Sequence, residues 1–181
     1  MEPIRWTSEG VVILDQRLLP GEVVYRTYTD YREVARSIKE MEIRGAPAIG
    51  VAAAMGVALG ILHSQAKTMG ELRAEFAVIC DALGKTRPTA VDLFWAIRRF
   101  ERRFAKLAGE SATCVPEDEL ATISSVRVAL VDEAQRVHQE RKDADESIGR
   151  LGAELLPKGA AAVTRVMTQC NAGALATGGM G

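Results

Sequence analysis

The 181-residue sequence has few of the residues that build metal centres and disulfide frameworks. It contains two histidines, His63 and His138, and three cysteines, Cys80, Cys114 and Cys170, without any C-x-x-C spacing. An odd number of cysteines with no paired spacing predicts neither a disulfide framework nor a zinc site. We therefore expect no metal and no cofactor, and a reducing, cytoplasmic location.

An excess of charge of either sign is also absent. The net charge is −1, and 48% of the residues are hydrophobic, a composition typical of globular proteins. Nucleic-acid binding needs clustered basic surface, and the one basic run, residues 98–103, lies in a helical pattern. A solvated helix face is the favoured interpretation of that run, so we predict no nucleic-acid partner.

The longest apolar run is too short for a membrane span. Residues 47–62 read P-A-I-G-V-A-A-A-M-G-V-A-L-G-I-L, whereas a span needs about 20 apolar residues. Gly56 and Gly60 form a G-x-x-x-G pair, which here favours close packing of a buried helix. The N-terminus is charged and shows no signal peptide. We predict no membrane association.

The patterns along the chain predict an α/β fold. Strand-like runs at 11–14 and 23–28 flank Pro20-Gly21, and Asp30 begins a helix. Further helical patterns begin at Pro47 and Pro116 and cover about 69–85, 89–106 and 144–156, and a strand-like run follows at 162–167. We predict a small β plus helical N-terminal domain at 1–145. Residues 146–181 would then begin a Rossmann-like parallel-sheet domain that is truncated at Gly181.

Two loops have the chemistry of an anion site. Arg44 supplies a fixed charge with bidentate geometry, Gly45 permits close approach to the backbone, and a helix begins near Pro47. Arg87 repeats the arrangement in the loop before the next capped helix. The alternative interpretations are a tight interhelical turn and an ordinary helix cap. The sequence does not show whether the two loops meet.

Cys170 is the candidate reactive group. It follows the strand-like run 162–167 and precedes small residues and glycines, the layout of a strand ending in a ligand-binding loop. A thiol near a helix N-terminus can have a lowered pKa and act as thiolate or acid. The alternative is an inert buried cysteine, which the spacing alone favours. Cys80 shares an apolar helix face with Phe76 and Leu83 and is predicted to be core.

Three segments together resemble one family. They read M-E-I-R-G-A-P-A-I-G at 41–50, T-R-P-T-A-V-D-L-F-W-A at 86–96 and T-Q-C-N-A-G-A-L-A-T at 168–177. In this order and spacing the chain resembles the amino-terminal half of the S-methyl-5-thioribose-1-phosphate isomerases, aldose–ketose isomerases of methionine salvage. These are related to the regulatory subunits of translation initiation factor 2B.

The resemblance implies a reaction and a set of site residues. Family members convert methylthioribose 1-phosphate to methylthioribulose 1-phosphate. The phosphate on the anomeric oxygen blocks ordinary ring opening, so the site must assist it before hydrogen moves between C2 and C1. In the family, the cysteine matching Cys170 acts with an aspartate as a catalytic pair. The residues matching Arg44, Gly45, Ala46 and Arg87 bind substrate.

The chain departs from the family at a few positions. It has Gln169 and Asp92 where relatives often carry His and Asn. The family's catalytic aspartate lies beyond Gly181, so we expect this chain to be one piece of a homodimeric enzyme and inactive alone. The missing half would be part of the same or a separate chain. The alternatives are an isomerase of another sugar phosphate, such as ribose 1,5-bisphosphate, and a non-catalytic initiation factor 2B-like regulatory subunit.

Overall fold

The computed structural model describes residues 1–110, 119–156 and 163–179, and within them the chain begins with a small antiparallel sheet. Strands β1 (Ile4–Thr7), β2 (Gly10–Leu14) and β3 (Tyr25–Tyr28) are ordered β1-β2-β3. Ile4 pairs with Ile13, and Val11 pairs with Tyr28. The central strand is buried along its whole length.

The helices form one cluster around a central apolar helix. They are α1 (Tyr31–Lys39), α2 (Ala46–Leu62), α3 (Met69–Gly84), α4 (Val91–Glu110) and α5 (Glu119–Glu154). Helix α2 is buried from Ala48 to Ile61 and contacts all four other helices. This arrangement explains its apolar composition, since a helix that is hydrophobic all round must be surrounded. The small sheet and helical N-terminal part were thus predicted correctly.

The glycines of α2 let its neighbours pack closely. A Cβ at Gly56 would lie 3.1 Å from Leu83, and one at Gly60 would lie 2.7 Å from Ile79. The G-x-x-x-G pair therefore serves helix packing, as predicted. In the described part of the chain, no helix combines the length and apolar character that crossing a membrane requires.

The start of the helical part and its core follow the sequence predictions. Asp30 caps α1 by accepting a hydrogen bond from the Arg32 amide. Cys80 is 7% exposed in the core, where desolvation, with a contribution from Glu101, raises the pKa of its thiol to about 12. Cys80 is therefore a core residue, as its apolar helix face predicted. Cys114 and Pro116 lie outside the described residues.

Two predicted elements were wrong. The separate helix at 144–156 is the end of α5, which continues unbroken to Glu154. Residues 163–167 form no strand, and Val163, Val166 and Met167 are 82%, 74% and 97% exposed. A strand needs a neighbour for its backbone hydrogen bonds, and no described strand lies beside this segment. The boundary at 145/146 falls within α5, and the two domains, including the Rossmann-like one, stay a prediction.

Candidate anion and thiol site

The loop before α2 has the features expected of an anion site. Gly45 is the N-cap residue of α2 and adopts a φ of 100°, in the left-handed region that favours glycine. It provides no side-chain cap, so the first-turn N–H groups of the helix are left for another acceptor. Arg44 beside it is exposed and makes no hydrogen bond or ion pair with the described residues. Ala46 begins the helix and is exposed.

Arg87 lies half-buried in the loop between α3 and α4. Its Nη1 atom is buried and has no hydrogen-bond partner among the described residues. Three other arginines also bury a nitrogen without a partner, but in each of them the atom is Nε: Arg103, Arg127 and Arg141. In Arg87 the atom is Nη1, at the end of the guanidinium group. A buried donor without a partner is unfavourable, and an oxyanion at this position would satisfy it.

The helices that follow the two arginine loops begin side by side. A Cβ added at Gly50, in the second turn of α2, would lie 3.0 Å from the carbonyl oxygen of Asp92 in the first turn of α4. The absence of a side chain at Gly50 therefore allows the two helix starts to touch. The positive ends of the two helices are therefore close together, which favours an anion near them.

Cys170 is an exposed free cysteine in a turn, followed by a short 3-10 helix at Ala174–Ala176. Cys170 is therefore not a buried cysteine, and its reactive role stays a prediction. Its φ is 63°, and Met41, just before the Arg44 loop, has a φ of 62°. These are the two non-glycine residues with positive φ in the described parts of the chain. Such conformations are strained and gather at ligand sites.

The segment that carries Cys170 contacts the Arg44 loop. A Cβ built at Gly45 would lie 2.4 Å from the Cα of Ala176 and 2.6 Å from its carbonyl oxygen. Gln16, directly after β2, also donates from Nε2 to the carbonyl oxygen of Leu175 at 2.8 Å. The second arginine loop is joined to this assembly through the Gly50–Asp92 contact. All three sequence motifs thus converge on the N-terminal end of α2.

Helix α5 anchors the far end of the same segment. The Gly178 N–H donates to Oδ2 of Asp145 at 3.1 Å, and Nε2 of His138 lies 3.0 Å from the Gly178 carbonyl oxygen. Arg141 fixes Asp145 through a 2.5 Å ion pair. Burial lowers the pKa of His138, although the Gly178 carbonyl and Glu2, 3.7 Å away, act in the opposite direction. The neutral ring donating through Nε2 fits this geometry.

An ionic cluster with buried carboxylates and part-exposed arginines supports the Arg44 loop from the sheet side. Asp15 is 0% exposed and accepts hydrogen bonds from Arg17 and Arg26. Arg17 also pairs with Glu42, which accepts a hydrogen bond from the Tyr28 hydroxyl. Glu42 is two positions before Arg44, so the cluster fixes the entry to the loop. No local pattern predicted this structural role of Asp15, because Glu42 joins the cluster from a distant position.

The cluster makes the stability of the fold depend on pH. Hydrogen bonds from Arg17, followed by those from Arg26, lower the pKa of Asp15 from 3.8 to about 2. Because the native state lowers this pKa, the stabilisation is complete above about pH 4 and is lost as the pH falls toward 2. We expect Asp15→Asn to be less stable than wild type at neutral pH, with the difference shrinking below about pH 4. Denaturant unfolding across this range measures it; a difference independent of pH would contradict the assignment.

A pocket of about 270 Å³ opens beside the helix starts. Pro47, Gly50 and Asp92 line it together with Trp95 and, from α5, Arg141. Arg99 lies over the Trp95 ring and pairs with Glu133 and Glu140, which holds the wall of the pocket. The pocket therefore combines an apolar surface with charged groups next to the proposed anion site. Among the described residues, no cluster of His, Cys, Asp and Glu could hold a metal ion.

Curated relatives match this chain over nearly its whole length. The chain is 47% identical over its whole length to the methylthioribose-1-phosphate isomerase of Koribacter versatilis, covering 47% of that protein. It is 46% identical to the enzyme of the same name from Geobacter sulfurreducens, over 98% of this chain and 47% of the relative. The chain thus spans about half the length of the curated relatives it matches.

Solved structures share the fold. The 5-methylthioribose 1-phosphate isomerase of Pyrococcus horikoshii matches 99% of this chain and 46% of its own, with a TM-score of 0.83 and 37% identity. The delta subunit of translation initiation factor eIF-2B from A. fulgidus matches 88% of this chain and 43% of its own, with a TM-score of 0.71 and 30% identity. The family model described as the initiation factor 2 subunit family matches residues 42–178, a range that contains the second and third motifs and all of the first except Met41. The chain therefore belongs to the initiation factor 2 subunit family.

Proposed function

We propose that the protein containing this chain is an aldose–ketose isomerase that converts S-methyl-5-thioribose 1-phosphate to S-methyl-5-thioribulose 1-phosphate in methionine salvage. The names of its relatives support the proposal, and one observation carries it. The close contact between Gly45 and Ala176 joins the anion-binding loop to the segment with the exposed thiol. An isomerase needs this combination, because the phosphate must be held while the adjacent sugar carbons react.

We assign the phosphate to the two arginine loops. Arg44 and Nη1 of Arg87 would donate hydrogen bonds to its oxygens. The backbone N–H groups of Gly45 and Ala46, at the start of α2, would donate further hydrogen bonds to them. The sugar then extends toward the segment that carries Cys170. The Cys170 thiol would stabilise the transition state as hydrogen leaves C2 and arrives at C1, with proton donation assigned to an aspartate outside this chain.

The arginine loops give the first test of this proposal. We expect Arg87→Ala to raise the KM for methylthioribose 1-phosphate roughly tenfold to a hundredfold, since a charge-assisted hydrogen bond contributes about 1.5–3 kcal/mol. Arg44→Ala is expected to have a similar effect. Steady-state kinetics on the natural protein at its full length measures both. Arg32→Ala is the matched control, because Arg32 is an exposed arginine paired with Asp30 away from the site.

The likeness to the eIF-2B delta structure supports one alternative, a non-catalytic regulatory subunit. Incubating the full-length protein with methylthioribose 1-phosphate separates the two, because the isomerase yields a C2 ketone that carbon NMR detects. Binding without ketone formation would support the regulatory alternative. A second assay with ribose 1,5-bisphosphate tests the other sugar-phosphate isomerase, and turnover of that compound alone would replace the proposed substrate.

The proposal includes a homodimeric, cytoplasmic enzyme. We place the dimer contact outside residues 1–181. Sedimentation equilibrium of the full-length protein is expected to give twice the subunit mass, and a monomer at micromolar concentration would contradict this part of the proposal.

A further inference from the structure

We propose that Gln16 is a positioning residue that holds the Cys170 segment against the Arg44 loop. The catalytic part of this inference rests on the proposed function. The structural part does not, because it concerns two hydrogen bonds that Gln16 makes at once. One goes from its side chain to Leu175, and the other goes from its backbone to Glu42.

The geometry of Gln16 suits this role. Its side-chain amide donates from Nε2 to the Leu175 carbonyl oxygen at 2.8 Å, across 159 positions of sequence. Its backbone N–H donates to the carbonyl oxygen of Glu42 at 2.9 Å. Leu175 is five positions after Cys170, and Glu42 is two positions before Arg44. One buried residue, 4% exposed, thus joins both halves of the candidate site.

The surroundings fix Gln16 itself. Asp15 on one side is held by Arg17 and Arg26, and its own N–H donates to the Val24 carbonyl oxygen at 2.9 Å. Glu42 is fixed through Tyr28 and Arg17. Gln16 therefore extends from a rigid base, and its amide can fix a segment that is otherwise irregular in structure. Rigid support of this kind matters because small misplacements of reacting groups reduce rates strongly.

Gln16→Met tests the inference in the natural protein at its full length. Methionine keeps the size of the side chain and removes the donor. We expect amide hydrogen exchange of a peptide spanning 171–179 to accelerate roughly fivefold or more, because that segment loses an anchor. We also expect kcat to fall roughly tenfold with KM nearly unchanged, since the phosphate loops keep their own contacts. Gln16→Glu, which also lacks the donor, should act in the same direction.

Gln65→Met is the matched control. Gln65 also donates from Nε2 to a backbone carbonyl, that of His63 at 3.1 Å, but it is exposed and follows the C-terminal end of α2, whereas the site lies at the N-terminal end. It should change neither exchange at 171–179 nor kcat, and the two Met variants should melt within a few degrees of each other.

The outcomes separate the inference from the proposed function. Unchanged exchange at 171–179 in both Gln16 variants overturns the structural role, whatever the activity. Accelerated exchange with an unchanged kcat overturns the catalytic part. Accelerated exchange in a protein whose wild type forms no ketone supports the structural role and overturns the proposed function.

Discussion

Replacing Gly45 with alanine is expected to separate the Arg44 loop from the Cys170 segment. The new Cβ would lie 2.4 Å from the Cα of Ala176, a backbone atom that cannot rotate away. The residue would also have to keep a φ of 100°, a conformation whose strain is about 1–3 kcal/mol for a side chain other than glycine. The Arg44 loop and the Cys170 segment must therefore separate. We expect kcat/KM to fall by roughly two orders of magnitude or more.

Gly109→Ala in α4 is the control for this prediction. A Cβ at Gly109 meets no atom within 4 Å, and alanine in a helix is about 1 kcal/mol more favourable than glycine. The control should therefore be slightly stabilised and fully active. Thermal unfolding and steady-state kinetics on both variants measure the difference. Wild-type kcat/KM in Gly45→Ala would show that the close contact is unimportant.

Replacing Cys170 with serine is expected to reduce turnover by roughly two to three orders of magnitude, the usual contribution of a group that stabilises the transition state. The exposed thiol lies in a strained turn, and a serine hydroxyl ionises far less readily than a thiol. Substrate affinity should change little, because the phosphate is assigned to Arg44 and Arg87. The kcat and KM of the variant measure the two effects separately.

Cys80→Ala is the matched cysteine control. The Cys80 thiol is buried, and its raised pKa of about 12 keeps it protonated. Its loss should lower stability by about 1 kcal/mol and leave kcat unchanged. Equal activity in Cys170→Ser and Cys80→Ala would show that Cys170 takes no part in catalysis.

The sequence predicted the elements of this fold better than their contacts. The composition predicted helix α2 and the packing role of its glycines. Capping chemistry predicted that Asp30 begins a helix. The single α5 was missed because the apolar pattern lapses across 140–146, where charged residues dominate. The helix continues there because Arg141 pairs with Asp145 and Gln139 bonds Asp143. Strand β1 was also missed, because its four residues include a charged one and are too few to show the alternation of a strand.

The site could be predicted as residues but not as an arrangement. Arg44, Arg87 and Cys170 were found from local chemistry and the family resemblance. Their convergence depends on contacts between distant positions, such as Gly45 with Ala176 and Gln16 with Leu175. A single sequence has no local signal for such contacts. The role of Gln16 is an example, since an isolated glutamine after a strand is indistinguishable from a surface residue.

Protection of Cys170 by substrate tests the central claim most directly. Iodoacetamide alkylation of the full-length protein would be followed by peptide mass spectrometry, with and without methylthioribose 1-phosphate. We expect saturating sugar phosphate to slow alkylation of Cys170 roughly tenfold or more, and Arg87→Ala to abolish this protection at the same ligand concentration. An alkylation rate at Cys170 that is the same with and without bound sugar phosphate would contradict a shared site.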